Sequence, residues 1–367
     1  MKRFAFLIHP LGIQDVVRYA PRAAGKREAL VAKILEWMPP YQASTITGVR
    51  SAATGQEIVG NFVCIPLLPA QFLQMQRSEV ERRVLEGARL GQELGASMVG
   101  LGGYTSVVGG AGRMVADDLR AGVTSGNSYT VSTAIAGTLE AARALDLDVR
   151  EASVAVVGAT GSIGSVCARI LAHQVGRLVL VARSKSRLQH LAERIHRESR
   201  AAVGLETDLE RGLMSADIVI SATSSGGGII APHALKPGAI VCDVAVPHDV
   251  CREVARARPD VLVIEGGVVE APGNPEFNFD FGYPPGLCLA CMAETMTLTL
   301  EGRSEDYSIG RGLAFERVEE IAALARKHGF RLAGFRAFDQ PVTREKLDEV
   351  RYERQKAWRR GMVVLGG

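Results

Sequence analysis

The sequence predicts an α/β protein in which a doubly wound parallel sheet follows an amino-terminal α/β domain. Three observations point there. After residue 150, short β-branched runs (VAVVG, LVLVAR, ADIVIS, GAIVCDVAVP, VLVIEGGVVE) alternate with turns and helical stretches, as parallel strands covered on both faces by helices do. Gly158, Gly161 and Gly164 sit between the first run and the helical stretch SIGSVCARILA. At 367 residues the chain exceeds the usual size of one hydrophobic core, so two domains with a cleft are expected.

Along the chain, FAFLIHPLG and REALVAKILEWM open the first domain. The stretch SEVERRVLEGARLGQELGASMVGLGG reads as a helix feeding a buried strand that stops at Gly102-Gly103. A turn at Gly126-Asn127 introduces one long Ala-rich helix of good intrinsic propensity, expected to bridge the domains over 131–146. The expected division is an amino-terminal domain over 1–130, a nucleotide-binding domain over 147–290, a helical return to the first domain over 291–342 and a basic tail over 343–367.

The turn after VAVVG has the form G-x-x-G-x-x-G. Glycines there permit a tight turn and let backbone amides approach a pyrophosphate, which the helix amino terminus favours through its unpaired N–H groups. With a strand before it and a helix after it, this turn, including Thr160, Ser162 and Ile163, is expected to bind a dinucleotide on a Rossmann-type sheet. A plain strand-to-helix turn is the alternative. The second strand ends about 20 residues on in Arg183, Ser184 and Arg187, with no carboxylate at its tip. Guanidinium groups and a hydroxyl suit the 2′-phosphate of NADP, so NADPH is expected ahead of NADH, against the alternative of a solvated basic turn. Ala222 and Thr223, after ADIVIS, stand at a carboxyl edge where such loops meet the cofactor, or form an ordinary polar loop.

Only 5% of residues are aromatic and the formal charge is +3, which argues against a surface for single-stranded nucleic acid. No apolar run has the length of a membrane span, and MKRFAFLIHPLG is short for a secretory signal, so a cytoplasmic protein without a transmembrane segment is expected. Six cysteines form no dense disulfide framework.

Two of them, Cys288 and Cys291, follow the Pro284-Pro285-Gly286 break in FGYPPGLCLACMAETM. A helix from about Leu287 would set both on one face near its amino end, where the dipole favours thiolate over thiol. One C-x-x-C lacks the second pair of ligands a zinc site needs, so no metal is expected. A thioredoxin-like redox pair belongs to the first helix of its own small fold. A buried inert pair and a nucleophile remain. Beside a nicotinamide-binding sheet, a nucleophilic cysteine suggests attack on an activated acyl group and reduction of the enzyme thioester to an aldehyde.

With SAATGQEIVGNFV, LGGYTS, GN-x-x-T, VAVVGATGSIGS, VARSKSRL, GGVVE, ACMAETM, LEG, IGRGLAFERVEEI and KHGF in that order, the chain resembles the long-chain fatty acyl-[acyl-carrier-protein] reductases, which form aldehydes. The likeness runs from near the start to about residue 335. It implies a fold similar to that of shikimate dehydrogenase and glutamyl-tRNA reductase, with a substrate domain ahead of the Rossmann domain. It implies Cys291, in Ala-Cys-x-Ala-Glu, as the acylated residue, with Cys288 outside the match. It further implies NADPH at the glycine turn and at Arg183, Ser184 and Arg187, acyl carrier protein or acyl-CoA as substrate carrier, and an aldehyde-consuming enzyme as a further partner. Tyr104 and Tyr129 stand where the cyanobacterial pattern has Phe and His, and the loop APGNPEFNFDFGYPPG departs from it.

Thr105, Ser106 and Thr130 are hydroxyls open to an oxyanion role, while His9, His248 and His328 receive no catalytic one. Arg311 reads as a surface ion-pair residue or an anion ligand. The tail carries seven basic and four acidic residues over 343–367 and reads as a solvated helix with a sparse stripe of Leu347, Val350 and Trp358. Two other functions share the architecture. One is a shikimate or quinate dehydrogenase-like reductase of a small keto acid, whose lysine-aspartate motif is not visible before residue 125. The other is a non-catalytic nucleotide-binding protein.

Overall fold

The computed structural model describes residues 1–310 and 312–365, with side chains described as far as residue 356. Arg311 and the Trp358 side chain lie outside the described residues. The chain divides into two compact units, Met1–Tyr129 with Val269–Arg331, and Thr130–Val268 with Leu332–Gly367. Residues 269–290, which the sequence assigns to the nucleotide-binding domain, cluster with the first unit.

The first unit opens with β1 (Lys2–Ile8), α1 (Ile13–Tyr19), α2 (Glu28–Trp37), β2 (Tyr41–Arg50), β3 (Glu57–Cys64), α3 (Pro69–Gln74) and α4 (Arg77–Glu93). It continues through β4 (Met98–Leu101), α5 (Val108–Ala111), α6 (Arg113–Asp118) and β5 (Gly122–Thr124). Strand alternation divides the apolar side chains between two faces. Ala5, Leu7, Val63, Val99 and Leu101 meet Val80, Val84 and Ala88 of α4, which recur at helical spacing. On the other face Phe6 lies in register between Phe62 and Gly100.

Helix α7 (Asn127–Ala144) starts four residues before the expected 131 and leads into the second unit. There β6 (Ser153–Val157), α8 (Ser162–Leu171), β7 (Arg177–Val181), α9 (Lys185–Glu198), β8 (Ala202–Glu206), α10 (Leu209–Leu213), β9 (Ile218–Ser221), β10 (Ile240–Asp243), α11 (Arg252–Ala257) and β11 (Leu262–Glu265) follow in turn. Their sheet is parallel throughout, in the order β11-β10-β9-β6-β7-β8. This is the expected Rossmann-type α/β fold. The strand order reverses at β6 and β9, and a dinucleotide binds at the carboxyl ends beside such a reversal.

The chain then passes through β12 (Val268–Glu270), β13 (Gly273–Glu276), β14 (Leu287–Leu289), α12 (Ala290–Glu301) and α13 (Phe315–His328). Antiparallel addition of β13 to β2 completes the first unit's sheet, β13-β2-β3-β1-β4-β5. In the β13–β14 connection every second residue is aromatic, and the rings of Phe277, Phe279 and Phe281 stand 6.2, 5.5 and 5.7 Å from that of Phe62.

Helix α14 (Arg344–Leu365) carries the tail. The solvated helix expected there is corrected at its start: Val350 is fully buried, Arg354 pairs with Asp217 at 3.4 Å, and Arg351 donates to the carbonyl of Ala144. Charges crowd the stripe in the sequence, yet their long stems lie along the second unit while their heads pair. No helix among the described residues is long and apolar enough to cross a membrane.

Candidate functional site

The Pro-Pro-Gly break does not start a helix. Leu287–Leu289 forms β14 beside β12, and α12 begins at Ala290 with Leu289 extended at its N-cap. Cys288 is therefore a buried strand residue and Cys291 a first-turn helix residue, which corrects the shared helical face expected from their spacing. Strand pairing, a long-range contact, decides the conformation of Leu-Cys-Leu.

Within Ala290–Leu300, Cys291 alone is not fully buried. Burial nonetheless pushes its thiol up to about 12; the amide of Met292 at the helix amino end pulls it down, and the Glu294 carboxylate pushes it up again. Desolvation thus opposes the thiolate that the helix end favours, and is the larger of the two effects. Burial raises the Cys288 thiol as well.

Two neighbours fix the position of Cys291. Gly126 has φ +72°, and a Cβ there would overlap the Cα and Cβ of Cys291, so the turn and the helix meet only because this residue is glycine. Glu294, one turn on, is completely buried. Its carboxylate accepts from Thr124 Oγ1 at 2.5 Å and from the N–H of Tyr129 at 2.7 Å. Burial raises this carboxyl, and the donors Thr124, Ser308 and Tyr129 oppose the rise. Tyr129 is the third residue of α7, so the carboxylate lies at that helix's positive end. The Gly126 N–H donates to Thr124 Oγ1 at 3.1 Å, the hydroxyl oxygens of Ser308 and Ser128 are hydrogen-bonded at 2.6 Å, and the Ser125 hydroxyl donates to the carbonyl of Ser308 at 2.5 Å. Residues 124–129, 291–294 and 308 thus form one hydrogen-bonded unit. The sequence reading passed over Glu294 as a functional residue, and its place in Ala-Cys-x-Ala-Glu was the available signal.

The oxyanion donors considered from sequence are engaged elsewhere. Thr105 donates to Gly102 O at 2.8 Å and Ser106 to Gly103 O at 2.7 Å, both closing a turn, while Thr130 is buried in α7. His9 accepts from the Tyr104 N–H at Nε2 and donates from Nδ1 to Pro10 O, each at 3.0 Å, and burial lowers it to about 4. His328 bridges Ser51 Oγ at 2.7 Å and Glu301 Oε1 at 2.6 Å.

In the second unit, the glycine turn leads from β6 into α8. Gly158 has φ +74°, and a Cβ on it would overlap Ala222 O; one on Gly164 would overlap Gly158 O. Gly161 donates to Gly158 O at 2.8 Å and is the N-cap of α8. The result is a cradle lined by backbone, with Thr160, Ser162 and Ile163 half-buried along it. Such a cradle suits a dinucleotide pyrophosphate. Arg187 Nη2 donates to Thr160 O at 2.5 Å and ties the β7 tip to the turn. Ser184 is the N-cap of α9 and accepts from the Arg187 N–H at 3.4 Å, and Arg183 is exposed.

Asp249, fully buried, organises the loop after β9. It accepts from the hydroxyls of Ser221, Thr223 and Ser225 at 2.7, 2.7 and 3.0 Å. The Thr223 proton is therefore engaged within the protein. Nothing in the sequence marked Asp249, which stands 26 residues from Thr223. Burial raises neighbouring Asp243 to about 7, and His248, 3.7 Å away, opposes that rise. Among the described residues no three His, Cys, Asp or Glu are grouped to hold a metal ion.

The model of the shikimate / quinate 5-dehydrogenase family matches residues 140–264. Over 307 residues the chain is 34% identical to Aminotransferase PigE of Serratia sp., a match covering 81% of this chain and 35% of the relative. The chain thus spans about a third of that protein's length, 35%. It is also 31% identical over 307 residues to the Long-chain acyl-[acyl-carrier-protein] reductase of Synechococcus elongatus, covering 80% of this chain and 87% of the relative. The chain belongs to the long-chain acyl-[acyl-carrier-protein] reductase family. This member also matches the Glutamyl-tRNA reductase of Pasteurella multocida, at 31% identity over 133 residues, 34% of this chain and 30% of that protein. Family and fold together place the acyl-[acyl-carrier-protein] reductase homologue among the NAD(P)-dependent oxidoreductases.

Proposed function

We propose that this family member reduces a long-chain fatty acyl thioester, carried by acyl carrier protein or CoA, to an aldehyde with NADPH, through an acyl group held on Cys291. The observation that carries this reading is the placement of Cys291: the one partly exposed residue in the first turns of α12, pressed on by Gly126 and anchored one turn on by Glu294.

In the reaction, the thiol gives up its proton as sulfur attacks the thioester carbonyl. The bond from the acyl carbon to the carrier sulfur breaks, and the carrier leaves as a thiol with that proton. Thioester exchange is nearly isoenergetic, so orientation and thiolate supply set the rate. A thiol held near 12 supplies little thiolate at neutral pH, which favours proton transfer in the same step as attack. Gly158, Gly161 and Gly164 would seat the pyrophosphate, with Thr160, Ser162, Ile163, Ala222 and Thr223 along it, and Arg183, Ser184 and Arg187 the 2′-phosphate. Bound there, NADPH supplies the hydride that the acyl carbon accepts. The Cys291 sulfur then leaves, regains a proton and frees the aldehyde for an aldehyde-consuming enzyme.

Incubation with palmitoyl-acyl carrier protein in the absence of NADPH tests this. A hydroxylamine-labile acyl adduct on Cys291 is expected by peptide mass spectrometry, discharged as aldehyde once NADPH is added. Wild-type aldehyde formation by Cys291→Ser would overturn the proposal. Turnover of shikimate or quinate without an adduct would assign a reductase of small keto acids instead.

A further inference from the structure

Helix α2 has two apolar faces. Val31 and Leu35 turn inward and form a small core with Leu68. Leu30, Ile34 and Trp37, spaced by four and three, form a second stripe that is 53%, 50% and 75% exposed. Helix α3 is tied alongside by Gln71 Nε2, which donates to Ala32 O at 3.0 Å, and it adds Leu73, 57% exposed. An exposed apolar helix stripe of this kind marks an interaction surface.

Charge indicates the partner. Residues 18–33 hold five cations, Arg18, Arg22, Lys26, Arg27 and Lys33, against one acid, Glu28. Lys33 pairs with Glu36 at 2.9 Å, and Arg18 with Asp15 and Asp280 at 3.6 and 3.4 Å. Arg22, Lys26 and Arg27 are exposed and enter no ion pair among the described residues. Arg27 is the N-cap of α2 and Lys26 precedes it, at the helix's positive end, where a cation costs helix stability. The helix they precede gains nothing from Lys26 and Arg27, whereas an anionic surface would be held by both. A second copy docked by the same face would bring cations against cations. An exposed apolar helix stripe also needs no matching groove when it enters a fluid layer.

We propose that α2 and the segment before it form an interfacial anchor for an anionic lipid surface. Leu30, Ile34 and Trp37 enter the acyl boundary while Arg22, Lys26 and Arg27 meet the headgroup phosphates. This inference stands apart from the acyl chemistry: vesicle binding without aldehyde formation, or the reverse, separates the two.

The full chain, with Trp358 changed to Phe so that Trp37 is the only tryptophan, is sedimented with phosphatidylcholine vesicles with and without phosphatidylglycerol. Salt-sensitive binding to the anionic vesicles is expected, with a blue shift of Trp37 emission and its quenching by brominated lipid. Ile34→Ser and the pair Lys26→Glu with Arg27→Glu should each weaken binding about tenfold or more. Both sites are exposed, and an unchanged circular dichroism spectrum confirms folding. The proposal is overturned by absence of vesicle binding, by binding that Ile34→Ser leaves intact, by a self-association that Ile34→Ser dissolves, or by protection of Trp37 from acrylamide by acyl carrier protein alone.

Discussion

At Gly126 the left-handed backbone and the contact with Cys291 act together. Gly126→Ala should displace the 124–129 turn from α12 and cost about 1–3 kcal/mol, read by thermal denaturation, while iodoacetamide labelling of Cys291 near neutral pH accelerates as the thiol is uncovered. The wild-type thiol carries its own signature. Burial holds it near 12, and only the thiolate reacts, so labelling should rise about tenfold per pH unit across neutral and mildly alkaline pH. A plateau around neutrality would instead mean a thiol lowered by its helix end. The sequence placed Cys291 at an amino-terminal helical turn, but its ionisation depends on the packing of Gly126 and Glu294, and both neighbours reach it through the fold.

Among the elements, the tip of β7 is where the proposed function puts the choice between NADPH and NADH. Arg183 is exposed there, and Arg187 is tied to the glycine turn through Thr160. Arg183→Asp replaces a cation with an anion where a 2′-phosphate would lie, so the ratio of kcat/KM for NADPH over NADH should fall about tenfold or more. An unchanged ratio would remove Arg183 from the proposed site. The strands of this unit were legible because parallel strands buried on both faces read as unbroken β-branched runs. The start of α12 was not: Pro-Pro-Gly resembles a helix start, and only pairing with β12 reveals Leu287–Leu289 as a strand. The tie between Thr223 and Asp249 was hidden for a similar reason, since it joins two loops 26 residues apart.

For the molecule as a whole, length and the change of pattern near residue 125 led to an expectation of two domains; the basic tail looked detached and is not. Val350 is fully buried, and Arg351 and Arg354 bond to the second unit. Val350→Ala should therefore cost about 2 kcal/mol in denaturant unfolding, a loss that a free tail would not show. Truncation at residue 342 would accordingly confound loss of charge with loss of folding. The carboxylate of Glu294 and the N–H of Tyr129 lie 165 positions apart in the chain, yet they close one buried network. Any recombinant chimera with a crossover between them draws acceptor and donors from different parents. Libraries built from this family should move residues 124–129 and 291–308 together, or lose the cysteine turn in otherwise well-chosen hybrids.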